Sequence, residues 1–284
     1  MNSSESPADL LHFTASRYVQ PLREGGSLPA IVDTEAGLFV AKFRGAGQGA
    51  RALIAELIAG LLARALGLPV PELAIIEVLP VFGRAEPDPE IQDLLRASHG
   101  INFGMRYLDG AFNYDPNAAS DLIESSFAAE VVWLDAFLTN PDRTHRNPNL
   151  MIWNRKAWLI DHGAALYVHH DWSAVDEARI RSPFAPIRDH VLLARATDLE
   201  DADARLAARV TPGLLRGIMA AVPDALLLDA VSRSPFAKAR AARDRYVDYL
   251  TDRLAHRASF VQEAVRARDA AAAGRVPGRT SSRR

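Results

Sequence analysis

From Arg17 to Phe43, short apolar runs are separated by residues that favour turns: Tyr18–Leu22, Ala30–Val32 and Leu38–Phe43, with Gly, Asp and Pro between them. This pattern predicts strands joined by hairpins. The period then changes. Leu53, Ile54, Leu57, Ile58, Leu61 and Leu62 recur at helical spacing within Ala50–Leu66, and Gly67 and Pro69 close the segment, which predicts an amphipathic helix. Glu72–Leu79 reads as a strand. Pro89–Ser98 reads as a short helix capped by Asp88, and Ile101–Leu108 as a last strand ended by Asp109-Gly110. Beyond it, Asp121 and Glu124 have capping-box spacing ahead of a helix to Leu138, with Phe127, Val131, Leu134 and Leu138 on its buried side. Leu150–Trp153 and Ala157–Ile160 form a hairpin pattern around Asn154-Arg155-Lys156. The rest reads as helices: Ala174–Arg181, Asp189–Ala196, Glu200–Val210, Pro212–Ala221, Asp224–Val231 and a long one from Pro235, with Ser234 as its cap and Tyr246, Tyr249, Leu250, Leu254, Phe260 and Val261 inward.

The expected class is therefore α+β, with a small antiparallel sheet lobe followed by a larger, mainly helical lobe. The expected divisions are an N-terminal segment 1–16, a sheet-rich lobe 17–110, a helical lobe 111–271 and a disordered basic tail 272–284. Composition narrows the function classes. With 284 residues and 49% hydrophobic content the chain can bury a large core. A formal charge of −2 gives no basic field, so composition gives nucleic-acid binding no support. The absence of cysteine excludes disulfides and thiolate metal sites. The polar, acidic start does not resemble a signal peptide, and no apolar run is long enough to span a bilayer, so a cytoplasmic protein without membrane partners is expected.

The chemistry concentrates in Asn140–Asn149, a polar loop that two prolines keep from being helix or central strand. Asp142 and Asn147 lie five positions apart, and the following hairpin returns Asp161 beside them. A carboxylate to accept a hydroxyl proton, with an amide oxygen and a second carboxylate to hold Mg²⁺ on a nucleotide, is the minimum set for phosphoryl transfer from ATP. Arg146 is the candidate cation for the transferring charge. His145, a lone histidine in a polar loop, is read as a structural hydrogen bonder. Upstream, Lys42 shares a strand face with Leu38 and Val40, and Glu56 is the sole acid of the helix Ala50–Leu66. That strand-then-helix order suits a lysine on the phosphates oriented by a glutamate. Gly25, Gly26 and Ser27 form a turn able to approach a phosphate, and Met105, Tyr107 and Leu108 lie where the sheet lobe passes into the helical lobe, the place of an adenine contact. A histidine-rich cluster at His162, His169, His170 and Asp171 lacks a metal-ligand spacing and is read as hydrogen-bonding.

The segments Leu134–Ile152 and Trp158–Leu166, with Lys42-Phe-Arg-Gly, Glu56 and Leu66-Gly-Leu-Pro-Val-Pro71, resemble HipA-like kinases, relatives of the protein kinase and phosphoinositide kinase fold. The resemblance covers roughly residues 17 to 170. It implies a bilobal kinase fold, with Asp142 as catalytic aspartate, Asn147 and Asp161 as Mg²⁺ ligands, and Lys42 with Glu56 on the nucleotide. Where the toxins of that family have a histidine two positions after the aspartate and a lysine before the asparagine, this chain has Thr144 and Arg146, with the histidine at His145. The chain is also expected to lack the toxins' extra N-terminal domain, so the resemblance implies kinase chemistry rather than toxin biology. In some toxins a serine of the glycine-rich loop is autophosphorylated; Ser27 would take that part. The acceptor, a protein Ser/Thr or another hydroxyl, has no readable motif. A small-molecule phosphotransferase and a silent pseudokinase that only binds remain alternatives.

Overall fold

The computed structural model describes residues 10–22, 28–47, 49–84, 86–229 and 234–273. The first strands are β1 (Leu11–Thr14), β2 (Arg17–Pro21), β3 (Ala30–Thr34) and β4 (Gly37–Lys42), followed by helix α1 (Gly49–Leu66), β5 (Leu73–Val78), α2 (Pro89–Ala97) and β6 (Gly100–Arg106). Among the described residues they form a six-stranded sheet in the order β1-β5-β6-β4-β3-β2. Its pairings are antiparallel, as expected, except that β1 runs parallel to β5 at one edge. Leu11–Thr14, which the sequence pattern sets apart from the sheet, is thus its edge strand.

Alternation along β4 decides where the chemistry goes. Phe39, Ala41 and Phe43 pack on one side with Ala74, Ile76 and Leu95. Val40 packs on the other with Ile75, Phe103, Met105 and α1. Lys42 falls on the α1 side with Val40. Helix α1 is buried almost all round rather than along one face, because β5 and β6 cover one flank and later helices the other. It ends as its Gly67 suggests: Gly67 has φ +86°, and Leu68 N donates to Ala63 O at 2.9 Å. The Asp88 cap is also as expected, accepting from Glu90 N at 2.9 Å.

A second sheet joins β7 (Phe112–Asn113), within what reads as a loop, to the hairpin β8 (Leu150–Trp153) and β9 (Lys156–Leu159). Between them, α3 spans Ser125–Phe137, shorter than the sequence predicts. Asp121 lies instead in a separate 3₁₀ turn, Ser120–Leu122, and the buried Ile123 that follows is extended, so the capping box is not made. The remaining helices are α4 (Glu177–Ile180), α5 (Leu199–Arg209), α6 (Pro212–Ala221), α7 (Asp224–Leu227), α8 (Ala239–Ala255) and α9 (Ala258–Ala273). The segment 189–196, expected as a helix, is a chain of tight turns. It is held in place by pairing with the polar loop 140–149, Thr144 against His190. The expected single long C-terminal helix is two, broken at His256–Arg257. Tyr246, Tyr249 and Leu250 are buried on α8, whereas Phe260 and Val261 belong to α9, where Phe260 lies 6.0 Å, ring to ring, from Trp133 of α3. Among the described residues, no helix is long and apolar enough to cross a membrane.

Candidate active site

Lys42 ends β4 facing α1, and its Nζ donates to Glu56 Oε1 at 2.5 Å and to Asp161 Oδ1 at 2.6 Å. Glu56 is held from its other oxygen, which accepts the His162 amide at 2.9 Å. Burial alone would drive the Lys42 ammonium towards its neutral form, but the two carboxylates outweigh it and raise its pKa above lysine's ordinary value. Burial likewise opposes the charge of Asp161, and Lys42 reverses the balance, holding that carboxyl below its usual range. Asp161 has φ +54°, a left-handed conformation that costs about 1 kcal/mol or more for a residue with a side chain. The turn brings its carboxylate back over the strand pair towards Lys42.

The loop 140–149 is launched by the end of α3. Thr139, with φ +53°, closes the helix in the position usually taken by glycine, and Asn140 N donates to Asp135 O at 2.8 Å. Asn140 Oδ1 then accepts the Asp142 amide at 3.2 Å. The Asp142 carboxylate is gripped on one side only, with Oδ2 accepting from Asn147 Nδ2 at 2.7 Å and from Asn149 Nδ2 at 3.1 Å. Partial burial raises the Asp142 pKa; the two amides oppose that and the charge of Asp161 adds to it. A raised pKa makes the carboxylate a better proton acceptor.

Beneath the loop lies a buried network. Arg143, 1% exposed, donates through Nε to Asp135 Oδ2 at 2.6 Å, to the carbonyls of Asn149 and Ile160, and towards His162 Nδ1 at 3.2 Å. It thereby ties α3 to both ends of the β8–β9 hairpin, which Ile160 N closes on Asn149 O at 3.1 Å. Burial, and then the Arg143 guanidinium, push His162 down to about 3, so it is neutral and accepts through Nδ1.

The two halves meet across a cleft of about 870 Å³. The sheet contributes Val40, Lys42 and Met105, and the segment that leaves β6 contributes Tyr107 and Leu108; the helical part contributes Arg146, Asn147, Asn149, Leu150, Ile160 and Asp161. All three expected adenine contacts line this cleft, and Arg146 is exposed at its edge. Gly25, Gly26 and Ser27 lie outside the described residues. His145 is exposed rather than drawn into the site. Of the histidine cluster, His162 sits on Arg143, whereas His169 and His170 meet edge to face at 4.8 Å, ring to ring, and His169 Nδ1 meets the Tyr246 hydroxyl at 2.9 Å. Asn149 is a further contact of Asp142 that the five-residue spacing does not indicate, although it stands in the same loop. Asp135, Arg143 and His190 carry no readable signal, because a buried ionic network looks like surface charge in a sequence.

A sheet lobe and a helical lobe, with a buried lysine–glutamate pair facing an Asp…Asn…Asp set, are the parts of a protein kinase-like phosphotransferase. A family model described as HipA-like kinase matches residues 17–204, more than half of the chain. The chain belongs to the HipA-like kinase family. The crystal structure of a Helicobacter pylori proinflammatory kinase, CtkA, is similar with a TM-score of 0.58 and 14% identity, covering 93% of this chain and 99% of that one. At that identity the similarity speaks for the fold. Comparison with curated proteins gave no match.

Proposed function

We propose that the protein transfers the γ-phosphoryl group of Mg-ATP to an alcohol hydroxyl, with a protein serine or threonine as the acceptor class. The observation that carries this reading is the shared cleft, with Lys42 bonded to both Glu56 and Asp161 on one side and Asp142 fixed by two amides on the other. Asp142 Oδ2 is taken by the amides, which leaves Oδ1 for the acceptor. Asp142 accepts the hydroxyl proton as the hydroxyl oxygen bonds to the γ-phosphorus. The bond from that phosphorus to the bridging oxygen breaks, and ADP departs with the electron pair. Lys42 holds the phosphates, Glu56 fixes the lysine, and Arg146 offsets charge at the transferring group.

The oxygen donors of Asn147 and Asp161 suit a hard cation. Mg²⁺ held there would neutralise charge on the phosphates. Val40, Met105, Tyr107 and Leu108 offer the apolar strip for the base. The test is ADP release and label transfer from Mg-ATP by the wild type beside Lys42→Met. The expected result is turnover in the wild type and a loss of about a hundredfold or more in the variant. Nucleotide binding with no turnover in either would make the protein a binding module, and equal turnover in both would overturn the role of Lys42.

A further inference from the structure

Outside the loop and the hairpin, His190 makes the only contact among the described residues that joins the segment 185–195 to the carboxylate beneath the catalytic loop. It lies 55 positions from Asp135 and is 4% exposed. Its Nδ1 accepts the Leu192 amide at 3.0 Å, which leaves the proton on Nε2, and Nε2 donates to Asp135 Oδ2 at 3.0 Å. The same oxygen accepts Arg143 Nε, and the other accepts Asn140 Nδ2 at 2.9 Å. Asn140 holds the Asp142 amide, and Arg143 holds the carbonyls of Asn149 and Ile160. The backbone runs alongside: Val191 N donates to Arg143 O at 3.0 Å, and Thr144 pairs with His190.

Asp135 therefore has three side-chain donors, all of which must be satisfied together because the group is 1% exposed. Burial alone would raise its pKa, but Arg143 and His190 hold it well below the usual carboxylate range. Remove the histidine donor, and the carboxylate is free to rotate towards Arg143 and away from Asn140, the residue that sets the Asp142 backbone.

Resting on the reading of Asp142 as the proton acceptor, we propose that His190 is a positioning residue for phosphoryl transfer. Acting through Asp135, it fixes the loop that carries Asp142, and it makes the geometry of the reacting centre depend on the segment 185–195. It touches neither nucleotide nor acceptor. A base displaced by a fraction of an ångström loses rate while leaving nucleotide binding intact.

The two ring nitrogens can be tested separately. Asparagine reproduces the position of Nδ1 but falls short of Asp135, whereas glutamine places an amide donor near Nε2 and gives up the Leu192 contact. His190→Asn and His190→Gln are compared with the wild type for Mg-ATP turnover, for Mg-ATP affinity and for hydrogen exchange of the peptide 139–149. The expected result for His190→Asn is a fall in kcat of about tenfold or more, an unchanged Kd and faster exchange in the loop. The conservative His190→Gln is expected to recover kcat to within about threefold of the wild type. If His190 only stabilised its own turn, the order would reverse, with Asn the milder change; that result, or equal losses in both, overturns the proposal. If the wild type turns over no ATP, the proposed function falls, and the exchange comparison still decides the positioning: loop exchange that is no faster in His190→Asn than in His190→Gln overturns it.

Discussion

Replacing Arg253 with methionine tests how the helical lobe is held against the loop. Arg253 on α8 is fully buried, and its guanidinium donates to Phe137 O and Ala136 O at 2.8 Å each, and to Ile180 O and Ser182 O at 3.0 Å each. It also lies 5.0 Å from the centre of the Phe260 ring. It thus satisfies the last carbonyls of α3 and of α4 at once, in place of the water or caps that helix ends ordinarily require. Ala136 O keeps the Leu138 amide as a partner, so the loss in Arg253→Met falls on the other three carbonyls. At about 1–3 kcal/mol for each orphaned acceptor the gross cost is several kcal/mol. Removing a buried cation returns part of that as desolvation no longer incurred. The net expected loss is about 3 kcal/mol, read from urea denaturation as a lower midpoint at unchanged slope. Arg253→Lys is expected to fall between the two, since one ammonium cannot span carbonyls on two helices. A loss below about 1 kcal/mol in the methionine variant would refute the argument that the clamp holds these helix ends.

Other outcomes follow from the same structure. His162, His169 and His190 are all buried with pKa values below the ordinary one. The unfolded chain therefore binds more protons than the folded one below pH about 6.5, and stability is present above that value and lost as pH falls through it. His162, held down to about 3, contributes by itself about 1.4 kcal/mol of that loss between pH 7.5 and 5.5, and His169 and His190 add to it in the same direction; denaturation midpoints that stay constant across that range would contradict it. Asn149 has φ +49° and donates to Asp142, so Asn149→Gly keeps the backbone and deletes the amide. It should lower kcat by about tenfold with nucleotide affinity retained, and a matching loss of affinity would show that Asn149 serves the nucleotide instead. A Cβ at Gly104, in the middle of β6, would overlap the Ile76 side chain, so Gly104→Ala should cost about 1–3 kcal/mol in thermal or urea melts. A neutral result would mean that the sheet yields there.

Much of this arrangement is legible in the sequence because the relevant features are local. The alternation of Leu38, Val40 and Lys42, the single acid of α1, and the Asp142–Asn147 spacing followed by a hairpin to Asp161 each depend on a few consecutive residues. Their coming together in one cleft follows from the fold. What stays hidden depends on distant partners. Thr139 ends α3 in a left-handed conformation that favours glycine, so nothing in the sequence marks the stop, and the helix expected from Asp121 starts late because Ile123 is drawn into the core. The segment 189–196 has helical spacing, but His190 is taken by Asp135 and the chain turns instead. The C-terminal pattern runs on through His256 and Arg257 as if continuous, yet α9 breaks away there to pack Phe260 on Trp133 and Phe137. A buried Arg143 or Arg253 has the same letters as an exposed one; only the carbonyls and carboxylates that surround it tell them apart.

The most direct test of the central claim is phosphate transfer from labelled Mg-ATP by the wild type, Asp142→Ala and Asp161→Ala, each first shown to be folded. The account predicts transfer or ATP turnover by the wild type and a fall of about a hundredfold or more in both variants. Equal turnover in all three would contradict it.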